Sequence, residues 1–215
     1  MSKQLPLPLL WGRGDTANEG EFYLGESNRL AALQLQRFQE WTSPATLLMG
    51  PAGCGKSLLA RLFVAAGGGE AIDGLAHADE DAVFHAWNRA QADGHRLLIV
   101  VESRDHIEAV QLADLRTRLA TAPVAIIGDP CTDISAALIE KLLDGRGLAH
   151  APMLASYIAQ RIERSYVAIH RVINAIDALA MASNRPVGTR LAREAMIGAG
   201  LFHALSNDSA LEETV

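Results

Sequence analysis

Apolar residues run through this chain in two rhythms. Residues 97–101 and 123–127 form short unbroken apolar runs and Ala45–Met49 one interrupted only by Thr46, the length and character of strands buried on both faces. A weaker strand is predicted over 71–73. Elsewhere the apolar positions recur at helical spacing. Ser27 is placed to cap a helix reaching about Trp41, with Leu30, Leu33, Leu35 and Phe38 as its buried contacts. Leu58, Leu59, Leu62 and Phe63 mark a second helix, which Gly67, Gly68 and Gly69 stop, and a third is predicted over 79–93. Strands alternating with helices predict a parallel sheet with helices on its faces. From Thr132 onward only helices are predicted, over 133–144, 152–162, 165–182 and 189–199, with breaks at Gly145-Arg146-Gly147, Pro152 and Pro186. The expected organisation is an extended arm over 1–20, an α/β domain over 21–130, a helical lid over 131–202 and a frayed tail over 203–215.

Composition narrows the class. Of 215 residues 49% are hydrophobic and 20% charged, which suits one globular domain with a small appendage. Nineteen Lys and Arg against 25 Asp and Glu give a net charge of −6, the wrong sign for affinity built on neutralising phosphates, so non-specific DNA binding by the whole surface is not expected. The longest aliphatic run, 97–101, falls far short of the ~18–20 residues of a membrane span. The apolar start is too short for a signal peptide, is broken by Pro6 and Pro8 and has no cleavage site, so the chain is expected to be cytoplasmic. Cys54 and Cys131 have neither metal-binding nor disulfide-framework spacing.

The strongest chemical signal is Gly50-Pro51-Ala52-Gly53-Cys54-Gly55-Lys56-Ser57, which satisfies G-x-x-x-x-G-K-[ST] between an apolar strand and an amphipathic helix. In such a loop the glycines let backbone N–H groups curl around phosphates, and the helix N-terminus adds favourable partial charge. Lys56 would reach the β- and γ-phosphates and Ser57 would ligate magnesium. Cys54 reads as a small filler, with a redox role as the lesser alternative. The loop also needs an acid at a neighbouring strand end for the Mg2+ shell, and Asp73 is the candidate, against the reading of an ordinary strand-end Asp.

The stretch Phe22-Tyr23-Leu24-Gly25-Glu26-Ser27-Asn28-Arg29-Leu30-Ala31 closely resembles the segment leading into the nucleotide site of DnaA, the bacterial replication initiator of the AAA+ class. Asp114-Leu115-Arg116-Thr117-Arg118-Leu119 resembles that family's arginine-finger helix, with Arg118 on the finger position. Ile162-Glu163-Arg164-Ser165-Tyr166 resembles its second sensor, with Arg164 on the sensor arginine, and residues 189–196 resemble its last lid helix. The resemblance spans about residues 20–200. It implies a P-loop AAA+ parallel sheet, trimmed to about four strands, with a C-terminal all-helical lid, and ADP or ATP with Mg2+ as cofactor.

Three departures refine this expectation. The chain ends about fifteen residues past the last lid helix, so the helix-turn-helix domain with which the initiator reads DNA is not expected. Gln4-Leu5-Pro6-Leu7-Pro8-Leu9 is similar to the hexapeptide with which replication proteins grip the DNA polymerase sliding clamp, implying clamp contacts by Gln4, Leu5, Leu7 and Leu9. Only sixteen residues separate Lys56 from Asp73, where the family usually inserts another strand and helix. Ala76 stands where an acid would activate water, while Glu102 and Ser103 fall near the first sensor. The resemblance therefore implies a replication regulator that binds nucleotide weakly hydrolysed at its own site, holds the clamp, and offers Arg118 in trans to ATP on DnaA. An autonomous ATPase of helicase-loader type is the alternative, and a clamp adaptor without catalytic influence a third reading. Self-association is left open.

Overall fold

A computed structural model of the chain describes residues 22–204. The clamp-like hexapeptide, with Gln4, Leu5, Leu7 and Leu9, lies outside the described residues. The chain divides into two compact units after Asp129.

In the first unit four strands, β1 (Ala45–Met49), β2 (Gly69–Asp73), β3 (Arg96–Val101) and β4 (Val124–Ile126), form an all-parallel sheet in the order β2-β3-β1-β4. The register pairs Ala45 with Leu97, Leu47 with Val124 and Asp73 with Val100. This is the trimmed four-stranded sheet that the resemblance implies. β1 and β3 occupy the centre, which is why both are nearly continuous apolar runs. β2 is short of apolar residues because it is an edge. Its first residue must be glycine: φ is +116° and a Cβ there would lie 2.1 Å from the Arg96 carbonyl oxygen.

The helices are α1 (Arg29–Gln36), α2 (Lys56–Ala65), α3 (Glu80–Asp93), α4 (Arg104–Glu108) and α5 (Ala113–Thr121). Side chains alternate across a strand, so Leu47, Leu97, Ile99 and Val101 face one layer, where Val83 and Trp87 of α3, Ile107 of α4 and Leu115 and Leu119 of α5 complete the core. α1 and α2 cover the opposite face, with Leu35, Leu59 and Phe63 fully buried. Phe63 stacks on Trp41 at 5.5 Å and meets Phe38 edge-on at 5.7 Å.

The helix expected from Ser27 to Trp41 is shorter than predicted. It starts after Asn28, whose side chain takes over the local turn, and it gives way past Gln36 to a 3-10 turn, Phe38–Glu40. Its buried contacts are Ala31, Ala32 and Leu35, while Leu30 is 72% exposed and Leu33 41%. Two alanines lie closer to the sheet than leucines could, so the helix is rotated from the expected phase. α4 was not predicted: five residues with one apolar position, Ile107, leave no periodic signal.

The second unit is helical: α6 (Thr132–Gly145), α7 (Leu154–Ala159), α8 (Tyr166–Ser183) and α9 (Thr189–Gly198). Ile139, Leu143, Ile158, Ile169, Ile173, Ile176, Leu191 and Met196 make its core. Ser165 caps α8 by accepting the Ala168 N–H at 3.0 Å, and Asn184 ends it with φ +48°. No helix among the described residues is long and apolar enough to cross a membrane.

Candidate nucleotide-binding site

Residues 50–57 connect β1 to α2, so the loop sits at the C-terminal ends of the parallel strands, where open α/β sheets bind ligands. Gly53 and Gly55 have φ of +78° and +92°, the left-handed backbone with which such loops can turn N–H groups toward an anion, and Gly55 is the cap residue of α2. Gly50 is required for another reason. A Cβ there would lie 2.9 Å from both the Cys54 Sγ and the Ile127 Cβ.

Lys56 is 8% exposed, and its ammonium donates to the carbonyls of Gly50 at 2.8 Å and Pro51 at 2.9 Å. Both partners are neutral, so the loop holds a full positive charge inside its own curve, ready for an anion. Cys54 is buried behind the loop, and that burial pushes its thiol up, against the opposing pull of Lys56. A thiol held protonated is a space filler rather than a redox group.

Ser57, on the first turn of α2, and Asp73, at the end of β2, line one hollow of about 360 Å³ with Ala60 and Arg61. The same hollow is lined by Val64, Ala65 and Ala71, so apolar side chains and a guanidinium share it with that hydroxyl and carboxylate. Asp73 is exposed, as are Ala76 in the following 3-10 turn and Glu102 beyond β3; Ser103 precedes α4.

The segment 22–31 closes the other side of the loop, through two residues to which the resemblance assigns no individual role. Phe22 is buried, its ring against Gly55. It is held by Asn28, 2% exposed, whose Oδ1 accepts the Gly25 N–H at 2.9 Å and whose amide donates to the Tyr23 carbonyl at 2.8 Å. Gly128, just past β4, donates to the Ser27 carbonyl at 2.8 Å, fixing this segment over the strand ends. A polar Asn between Gly25 and an apolar helix face was the available signal.

Arg118 lies apart from the loop, on α5. One guanidinium N–H donates to Asn88 Oδ1 at 2.8 Å and another to Asp114 at 2.9 Å, and the group stands 4.8 Å from the centre of the Phe84 ring. Arg116 points elsewhere, to the Val110 carbonyl at 2.9 Å. Arg164 is exposed in the second unit, just before the cap of α8.

This sheet order, with a phosphate-type loop after β1 and helices following, defines an AAA+-like fold. Domain III of the replication initiation protein DnaA from Thermotoga maritima superposes with a TM-score of 0.64 at 11% identity, covering 82% of this chain and 94% of that one. The RuvB Holliday junction branch migration motor of Thermotoga maritima gives 0.53 at 13% identity, over 79% of this chain and 65% of that one. A replication initiator DnaA bound to AMPPCP and single-stranded DNA gives 0.53 at 13%, over 76% and 66%. The chain thus spans nearly all of the isolated DnaA domain and about two thirds of the two longer proteins. No family model and no curated protein matches the sequence.

Proposed function

We propose that this chain is a DnaA-type AAA+ regulator of replication initiation, of the Hda kind that inactivates DnaA. In this reading it binds ADP or ATP at its own loop and holds the sliding clamp through Gln4, Leu5, Leu7 and Leu9. It then presents Arg118 to ATP carried by DnaA. The observation that carries the reading is the location of Arg118. It belongs to the α3–α5 layer, on the sheet face opposite α2, a location that supports use of its charge by a neighbouring molecule rather than by its own loop. A guanidinium has five N–H donors; two are committed here, and three remain for phosphate oxygens. Such an arginine neutralises charge developing on a transferring phosphoryl group, worth about 10³–10⁵ in rate.

At its own site the loop N–H groups and Lys56 would hold the nucleotide, and Ser57 and Asp73 would hold Mg2+. That ion supplies neutralisation of phosphate charge. Ala76 offers no base for an attacking water, so binding without brisk turnover is the expected behaviour. Hydrolysis of DnaA-bound ATP, followed with and without this protein in the presence of DNA-loaded clamp, tests the reading. Stimulation by a protein that scarcely hydrolyses ATP alone is expected. Brisk turnover by the isolated protein with no effect on DnaA would contradict it.

A further inference from the structure

Helices α3 and α5 run side by side in the same direction on one sheet face and are tied at two levels. At the start of α5 the Glu80 carboxylate accepts the Gln111 N–H at 2.9 and 3.0 Å and the Leu112 N–H at 2.7 Å. Two turns further along α3, Asn88 accepts from Arg118. Between them Phe84 offers its ring face to the same guanidinium. Glu80, Phe84 and Asn88 are spaced four residues apart, so they form one stripe on α3, turned toward α5.

Each member acts differently. Glu80 fixes where α5 begins, and therefore the height of Arg118. Phe84 and Asn88 fix the plane of the guanidinium without cancelling its charge, since one offers a π face and the other a neutral oxygen. Asp114 is the exception: a carboxylate one turn earlier on α5, paired at 2.9 Å, it neutralises the group it touches. Its side chain is 57% exposed and that of Arg118 27%, so this pair opens toward solvent.

We propose that the Glu80–Phe84–Asn88 stripe positions Arg118 for use in trans, and that Asp114 is a counter-ion which the phosphates of a partner-bound nucleotide displace. The proposal rests on the finger reading above and assigns that finger its positioning residues and its restraint. Displacement makes and breaks no covalent bond: the carboxylate returns to water and the freed N–H turns to a phosphate oxygen.

The test is single-turnover hydrolysis of DnaA-bound ATP on loaded clamp, titrated with full-length wild type, Asn88→Ala, Asp114→Asn and Arg118→Ala. Asn88→Ala should lower the saturating rate about 10-fold or more while leaving the half-saturating concentration unchanged, because a misaimed group loses transition-state contact rather than docking. Asp114→Asn keeps a hydrogen-bonding oxygen, sits on an exposed face and should fold normally. It should raise the saturating rate by up to about 5-fold, the scale of a surface ion pair. Arginine side-chain NMR of the free proteins should show the Arg118 signals displaced in Asn88→Ala, a change that general destabilisation would not confine to one arginine. If Asn88→Ala and Asp114→Asn both match wild type while Arg118→Ala loses stimulation, the positioning scheme fails and the finger stands. If Arg118→Ala itself matches wild type, finger and positioning scheme fail together.

Discussion

The ring of Phe22 lies so close to Gly55 that a Cβ on that glycine would come within 3.0 Å of the Phe22 Cε2. The residue that caps α2 is thereby fixed from two sides, by its left-handed backbone and by the aromatic side chain of Phe22.

Gly55→Ala should therefore do two kinds of damage. The left-handed conformation costs a non-glycine residue about 1–2 kcal/mol, and the Phe22 ring must move as well. Gly147→Ala is the control, since φ is +69° there with nothing within 4 Å of the added methyl. Thermal melts should fall for both variants, and further for Gly55→Ala. Calorimetry should show nucleotide affinity lost in Gly55→Ala and kept in Gly147→Ala.

Asn28→Ala should destabilise the first unit by about 2–3 kcal/mol, because the Gly25 N–H and Tyr23 carbonyl both lose a buried partner. Asn28→Asp keeps the acceptor but faces a carbonyl with a carboxylate, and should fall between wild type and Asn28→Ala. Denaturant midpoints at unchanged m-value measure this; a cost below about 0.5 kcal/mol for Asn28→Ala would show that the turn holds without the side chain.

Glu80 predicts an acid limb. The Gln111 N–H foremost, then that of Leu112, hold its carboxyl below the usual carboxylate value of 4.5. A group lowered in the folded state stabilises above its unfolded pKa, and that contribution is lost as pH falls through the lowered value. Stability of wild type should thus decline below about pH 4.5, and Glu80→Gln should decline less steeply there while being weaker at neutral pH. Identical pH profiles would remove Glu80 from the α3–α5 tie.

Much of this architecture was legible in advance. The bounds of β1 are legible because a central parallel strand is largely apolar, with Thr46 its one polar residue, and the loop is legible because four of its eight positions are fixed by the motif. Ser27 is not the cap: the helix starts one residue later, after Asn28, whose side chain makes no bond to the first turn and reaches back to Gly25 and Tyr23 instead. The phase of α1 was misjudged since alanines carry little weight in a periodicity argument yet permit the closest packing. The Phe84–Asn88–Arg118 cluster was invisible because it joins residues thirty positions apart, and sequence spacing reports neighbours on one helix, not between two.

The central claim is that Arg118 acts on a nucleotide it does not itself bind, and one comparison tests it most directly. Wild type, Arg116→Ala and Arg118→Ala are to be assayed for stimulation of DnaA-bound ATP hydrolysis on loaded clamp, with nucleotide affinity measured in parallel. Arg118→Ala should lose at least a factor of ~10² in stimulation and keep its nucleotide affinity, since its partners Asn88, Asp114 and Phe84 all lie on α3 and α5 rather than on the loop. Arg116→Ala should be milder, because its guanidinium is directed to the Val110 carbonyl. Undiminished stimulation by Arg118→Ala, or equal losses at the two arginines, would contradict the account.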